Sequence, residues 1–226
     1  QYHRTRQAAF DYLVGVIDSE LDQGRQVILG ADFAFGYPIG TAQKLCHSSD
    51  PLALWDVLET RITDVPNNGN NRFSVAAGLN DHFDGIGPFW GCPAQVSHAS
   101  LPHKGNDRHG HGMAEYRLCD SQTRSAQSVW KLFTTGSVGS QTLLGLPMLN
   151  RLRARFAGRS TVWPFQEDVD AELIIVEIYP SLYDLDGVPN DVIMAIKDAR
   201  QVYRVVQELL ETYVLAHRLS ADISSA

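Results

Sequence analysis

Val27–Pro38, VILGADFAFGYP, and Leu173–Pro180, LIIVEIYP, share one grammar: an apolar run, a single carboxylate (Asp32 in the first, Glu177 in the second) and a Tyr-Pro pair. Runs this apolar and β-branched read as buried strands, here Val27 to Phe35 and Leu173 to Tyr179. A carboxylate inside such a run loses hydration, and a cation, a proton or hydrogen bonds must replace it. Two such strands side by side therefore predict a shared acidic site at their carboxyl ends, where layered α/β proteins hold their ligands.

Helical patterns surround these strands. Phe10, Leu13, Val14, Ile17 and Leu21 form one apolar stripe that stops at Gly24. Asp50-Pro51 is a cap-and-proline start for a helix with Leu54, Trp55, Leu58 and Ile62 inward, and VPNNGNN is a turn-rich linker before a short helix over 72–83. From Asp84 to about Glu115 the periodicity vanishes in a stretch rich in Gly, Pro and His, which reads as a binding loop or lid. Trp130 to Phe133 is a candidate strand. A glycine-serine turn then leads into a helical stretch interrupted at Pro147 and continuing through Arg155, Thr161 to Phe165 is a further strand, and a long helix runs from about Asn190 to Arg218, its two apolar stripes expected to be buried.

The fold class that follows is α/β, a layered mixed sheet with helices on both faces, in one domain over 1–226 with a long loop insertion at about 84–116. The few strands, and an opening at Gln1 close to a helical pattern, lead us to expect N-terminal strands beyond the sequence given. At 226 residues and 44% hydrophobic the composition is that of an ordinary globular protein. No run approaches the roughly 18 apolar residues of a membrane span, and no leader is evident, so a cytoplasmic protein without membrane contact is expected. Cys46, Cys92 and Cys119 are too widely spaced for a zinc ribbon or disulfide framework and are expected reduced.

Asp198 shares a stripe of the last helix with Ala195 and Val202 and joins Asp32 and Glu177 as a candidate metal ligand; three carboxylates at strand ends suit Mg²⁺ or Mn²⁺. Structural roles for the same acids, capping a turn or meeting an arginine, remain the alternative. Charge is segregated: residues 121–166 hold six bases and no acid, leaving −13 on the remainder against −7 for the whole. Within that segment Arg124, Lys131, Ser137 and Ser140 flank the turn that enters a helix, a geometry able to hold phosphate or carboxylate. His98, His103, His109 and His111 cluster in the loop; His109 and His111 are candidates for proton transfer to or from an anionic substrate.

The segments GADFAFGYPIG, EYRLCD, VWKLFTTGSVGSQTLLGLP, IIVEIYPSL and IKDARQV resemble the ordered motifs of a bacterial family of unknown function within the ribonuclease-H-like superfamily, from about Arg4 to Val206. Alphaproteobacterial relatives are sometimes labelled cobalamin or molybdopterin-guanine-dinucleotide biosynthesis proteins. The resemblance implies a central mixed sheet with acidic residues on the first strand, on the strand after the first helix and near the last helix, holding two divalent metals for phosphoryl transfer. Asp32 matches the second position, and Glu177 and Asp198 fall in the late motifs; the first-strand Asp has no counterpart here. The leading expectation is a divalent-metal-dependent phosphoryl-transfer enzyme or phosphodiester hydrolase acting on a nucleotide or a nucleic-acid end. The alternatives are a non-catalytic module binding a small anion or a partner, and an enzyme of molybdopterin or cobalamin biosynthesis.

Overall fold

A computed structural model describes residues 2–123, 126–189 and 196–224, the last of these with side chains to residue 212. The chain divides into two compact units, Gln1–Glu177 and Ile178–Ala226. In the first, the elements run α1 (Arg6–Asp22), β1 (Val27–Ala31), α2 (Thr41–Cys46), α3 (Leu52–Arg61), α4 (Arg72–Asn80), α5 (Leu118–Gln122), α6 (Val138–Arg155), β2 (Ser160–Trp163) and β3 (Leu173–Glu177). The fold is α/β, and among the described residues the sheet has three strands in the order β1-β3-β2. Both pairings are parallel, so the mixed sheet expected from sequence is not what these strands form.

β3 is central because its apolar run is the most continuous, and Leu173 and Ile175 are fully buried. β1 is an edge strand and shorter than its apolar run suggests: it stops at Ala31, and Ile28 is 47% exposed while Val27, Leu29 and Ala31 pack on the core. The residues after it, Ala34 and Phe35, are buried as loop instead. Phe35 supplies the link to α3, since the Trp55 indole N–H donates to the Phe35 carbonyl at 2.8 Å and the rings meet edge to face at 5.5 Å.

Segment 84–116 is not a lid. Phe89 and Leu101 are wholly buried, and Asn80 at the end of α4 pins the segment with its amide: Nδ2 donates to the carbonyls of Phe89 (2.9 Å) and Ser100 (2.6 Å), and Oδ1 accepts from the Phe89 N–H (2.9 Å). A buried amide thus does the pairing that periodic structure does elsewhere. The strand expected over Trp130–Phe133 reduces to a single bridge between Lys131 and Trp90. α6 is also simpler than its sequence suggests: Pro147 lies inside one continuous helix. Burial of Leu143, Leu146, Leu149 and Leu152 offsets the hydrogen bond that the proline cannot donate.

The second unit contains a 3₁₀ turn, Pro180–Leu182, and α7 (Lys197–Ser224). The expected helix start at Asn190 lies outside the described residues. Burial of both stripes is not observed: Val205 is buried, whereas Val202, Val206 and Leu210 are exposed. Among the described residues no helix is long and apolar enough to cross a membrane.

Candidate functional site

The strand-end carboxylates meet different fates. β3 pairs Glu177 with Ala31, the last residue of β1, so Asp32 falls just beyond the strand and outside the paired register. Asp32 is exposed and engaged in an interaction of its own. Glu177 is met by Arg117, which stands just before α5 and grips it with both guanidinium nitrogens: Nη2 to Oε1 at 2.6 Å and Nη1 to Oε2 at 2.7 Å. Glu177 Oε2 also accepts the Phe35 N–H at 2.8 Å, which fastens the loop leaving β1 to the end of β3.

The same guanidinium holds Asp120 through Nε and Nη2, both at 2.8 Å. Side-chain exposures of 12% for Arg117, 6% for Asp120 and 22% for Glu177 place this trio largely out of solvent. Burial opposes the guanidinium charge, but hydrogen bonds and attraction from the two carboxylates outweigh it and raise the Arg117 pKa above the ordinary arginine value. Nearby, the Tyr37 ring packs on Phe89 and Trp130, and its hydroxyl is buried with no hydrogen-bond partner among the described residues. Burial drives that phenol far above its usual range, Arg117 pulling weakly the other way.

Asp198 belongs to the second unit, exposed in the first turn of α7, where a carboxylate complements the helix dipole. Among the described residues, no group of three or more His, Cys, Asp or Glu is placed to hold a metal ion.

Two donors of the glycine-serine turn are already engaged: the Gly139 N–H goes to the Lys131 carbonyl at 2.9 Å and the Ser140 N–H to that of Ser137. Lys131 Nζ donates to the Thr135 carbonyl at 2.6 Å, Ser137 makes no cap with its side chain, and Arg124 lies outside the described residues. Three of the six bases in the segment are paired with acids from elsewhere in the chain, through Arg153–Asp56, Arg155–Asp18 and Arg159–Glu172.

Ser140 differs from its neighbours in the turn. It is buried in the first turn of α6, donates to the Leu132 carbonyl and accepts from Arg72 Nε at 2.8 Å. Arg72 opens α4, and its Nη1 donates to Asn70 Oδ1 at 2.8 Å. Arg6 opens α1 and is paired with Asp64, Nη2 to Oδ1 at 2.7 Å, and with the Asn68 carbonyl. Arg6, Asn68, Asn70, Arg72 and Ser140, with Phe33, Gln141, Leu144, Gly145 and Met148, line a cavity of ≈ 440 Å³, within the size range of small-molecule sites. The VPNNGNN linker is therefore a wall of the cavity, with Asn68 at φ 68° turning its side chain to receive the Arg6 N–H.

Neither arginine appears among the residue types and patterns that mark a site, yet a signal was present. α1 and α4 each begin on a cation, at the end where the helix dipole favours an anion, and neither carries an acid in its first turn. Such local conflict between residue and position collects at functional sites. Burial, and then the proximity of Arg6, lower the Arg72 pKa. No carboxylate pairs with Arg72 among the described residues.

No family model, curated protein or solved structure matches this chain.

The histidines do not converge on either place. His109 is exposed, with Nδ1 3.3 Å from the Asp107 carbonyl, and its backbone bridges Ile86. His103 Nδ1 lies 3.2 Å from Cys92 Sγ, but burial pushes that thiol up rather than down, away from thiolate chemistry. His111 Nδ1 accepts the Met113 N–H at 3.2 Å, which requires that nitrogen to be unprotonated. Burial first, and then Arg108, lower the His111 pKa, with Glu115 opposing. For a base whose folded pKa is depressed, the unfolded chain takes up the extra proton, so stability is lost as pH falls below the ordinary imidazole value of about 6.5. Thermal melts of wild type and His111→Gln at about pH 7.5 and pH 5 should show a smaller acid penalty in the variant; equal penalties would remove His111 from that role.

Proposed function

We propose that this protein binds a small phosphate- or carboxylate-bearing molecule in the Arg72 cavity. The observation that carries the reading is a half-buried guanidinium whose hydrogen-bond partners among the described residues are all neutral, beside a second guanidinium, in an open cavity of ligand size. A partly buried cation with no anion beside it is an incomplete electrostatic arrangement, and an incoming phosphate or carboxylate completes it with charge-assisted, directional bonds.

Binding is favoured over turnover by the lining itself, which among the described residues contains no His, Cys, Asp or Glu to act as base or nucleophile. The Ser140 hydroxyl is committed to a carbonyl. Metal-dependent phosphoryl transfer of the ribonuclease-H kind remains the reading suggested by the motif resemblance, and it requires Glu177 to exchange Arg117 for a metal ion. The anion-binding reading needs no such exchange.

Titration calorimetry with inorganic phosphate and pyrophosphate at low salt should give saturable binding to the wild type. Arg72→Gln should weaken it about 10- to 100-fold, the worth of one or two charge-assisted bonds. Lys131→Ala should leave affinity unchanged, because that ammonium is already spent on a carbonyl. Absence of saturable binding in the wild type, or equal affinity in Arg72→Gln, would sink the reading.

A further inference from the structure

The two sides of the cavity differ in chemistry. Arg72, Arg6 and Ser140 make a charged, hydrogen-bonding wall, and Phe33, Leu144 and Met148 make an apolar one. Ser140, Leu144 and Met148 recur every four residues along α6, so one helix face presents the hydroxyl and two apolar side chains in a row. A bare phosphate engages the first wall alone and leaves the second wet.

Gly145 sets the shape of the apolar side. A Cβ placed on it would fall 2.3 Å from Phe33 Cζ and 2.5 Å from Cε2, so the phenyl ring lies directly against the helix backbone where a side chain would stand. Gly145 has ordinary helical geometry, and its φ is not among the positive ones. Its lack of a side chain therefore serves the seating of the ring, since a glycine within a helix otherwise costs stability. Any larger residue would displace Phe33.

Resting on the anion-binding reading, we infer that the Arg72 cavity selects anions that carry an apolar, ring-sized body, the head group on Arg72 and the body between Phe33 and Met148, with Gly145 as the residue that holds Phe33 in place. The favoured ligand class is then an aryl or branched-alkyl phosphate or carboxylate. Inorganic ions are the weaker members of the series.

Phenyl phosphate against methyl phosphate isolates the body at constant head group, and benzoate against acetate is the carboxylate arm. Calorimetry on the wild type at fixed ionic strength should show phenyl phosphate binding at least about ten-fold tighter than methyl phosphate, from apolar area removed from water. Met148→Gln should bring the two affinities close together while keeping that for methyl phosphate. Gly145→Ala should do the same by displacing Phe33, with circular dichroism to show that it folds; if it does not, Met148→Gln decides. Equal affinities for both esters in the wild type, still reduced by Arg72→Gln, would overturn the selectivity and leave the anion site standing. A phenyl preference untouched by both substitutions would overturn its assignment to this cavity. No binding of either ester, or of the two carboxylates, would overturn selectivity and site together.

Discussion

Arg117→Met should destabilise the protein by about 3–5 kcal/mol, a large share of the 5–15 kcal/mol typical of a domain. The arginine neutralises two carboxylates at once, with exposures of 6% for Asp120 and 22% for Glu177, and its removal leaves both without a cation. The replacement matters less than the groups left behind, because burying an unpaired charge costs more than the ion pair gains. The triple variant Arg117→Met, Asp120→Asn, Glu177→Gln should accordingly recover much of the loss. Chemical denaturation of wild type, single and triple variants measures this; a single variant within about 0.5 kcal/mol of wild type would show that the trio contributes nothing.

A pH titration is a poor substitute for these variants. The folded pKa of Arg117 lies above its ordinary value, so its contribution is complete at any pH below that value and fades only as pH rises beyond it. Between about pH 5 and 9 the arginine share is therefore constant. Anion binding in the Arg72 cavity provides an independent readout of the same variant. Arg117 touches none of the cavity's lining residues through a hydrogen bond, and a folded Arg117→Met protein should bind phosphate as the wild type does.

The helices were legible wherever a stripe of large apolar residues met a stop signal. α1 ends where Gly24 sits at φ 71°, and α3 begins with Asp50 Oδ1 accepting the Leu52 N–H at 2.9 Å, as a cap-and-proline pair implies. Local signals of this kind depend on a few neighbouring residues. The acidic site depended on register and on one distant side chain, and periodicity contains neither. Glu177 did look destined for a partner, as any carboxylate in an apolar strand does, and the partner was an arginine 60 positions away. Arg117 and Asp120 were in view within EYRLCD, at the i, i+3 spacing of helical neighbours, but nothing local points from them to β3. The Arg72 cavity was hidden for a related reason. Its walls come from a turn, the starts of α1 and α4, the loop after β1 and one face of α6, and only the misplaced cations at the starts of α1 and α4 hinted at it.

Gly139→Ala should cost about 2–3 kcal/mol, near the upper end for overpacking, and should weaken anion binding with it. The sequence offers Gly136 to Ser140 as a phosphate loop, in which glycine would be needed for backbone amides to face a ligand. The structure gives Gly139 another reason to be glycine. A Cβ there would fall 2.3 Å from the Val129 carbonyl oxygen and 2.8 Å from that of Lys131, which itself accepts the Gly139 N–H at 2.9 Å. Both obstacles are backbone, so no rotamer change relieves them, and the start of α6 must move away from segment 129–132. Ser140 is the next residue, bonded to the Leu132 carbonyl on one side and Arg72 on the other, so that displacement breaks the contact that orients the guanidinium. Gly158→Ala is the control. It also replaces a glycine, but one with open space around it and φ 75°, so it should cost only about 1 kcal/mol in backbone strain and leave phosphate affinity unchanged. Paired denaturation and calorimetry separate the outcomes: an unaltered affinity in a destabilised Gly139→Ala protein would detach the glycine turn from the Arg72 cavity, and an unaltered stability would show that the close approach at Val129 is not rigid.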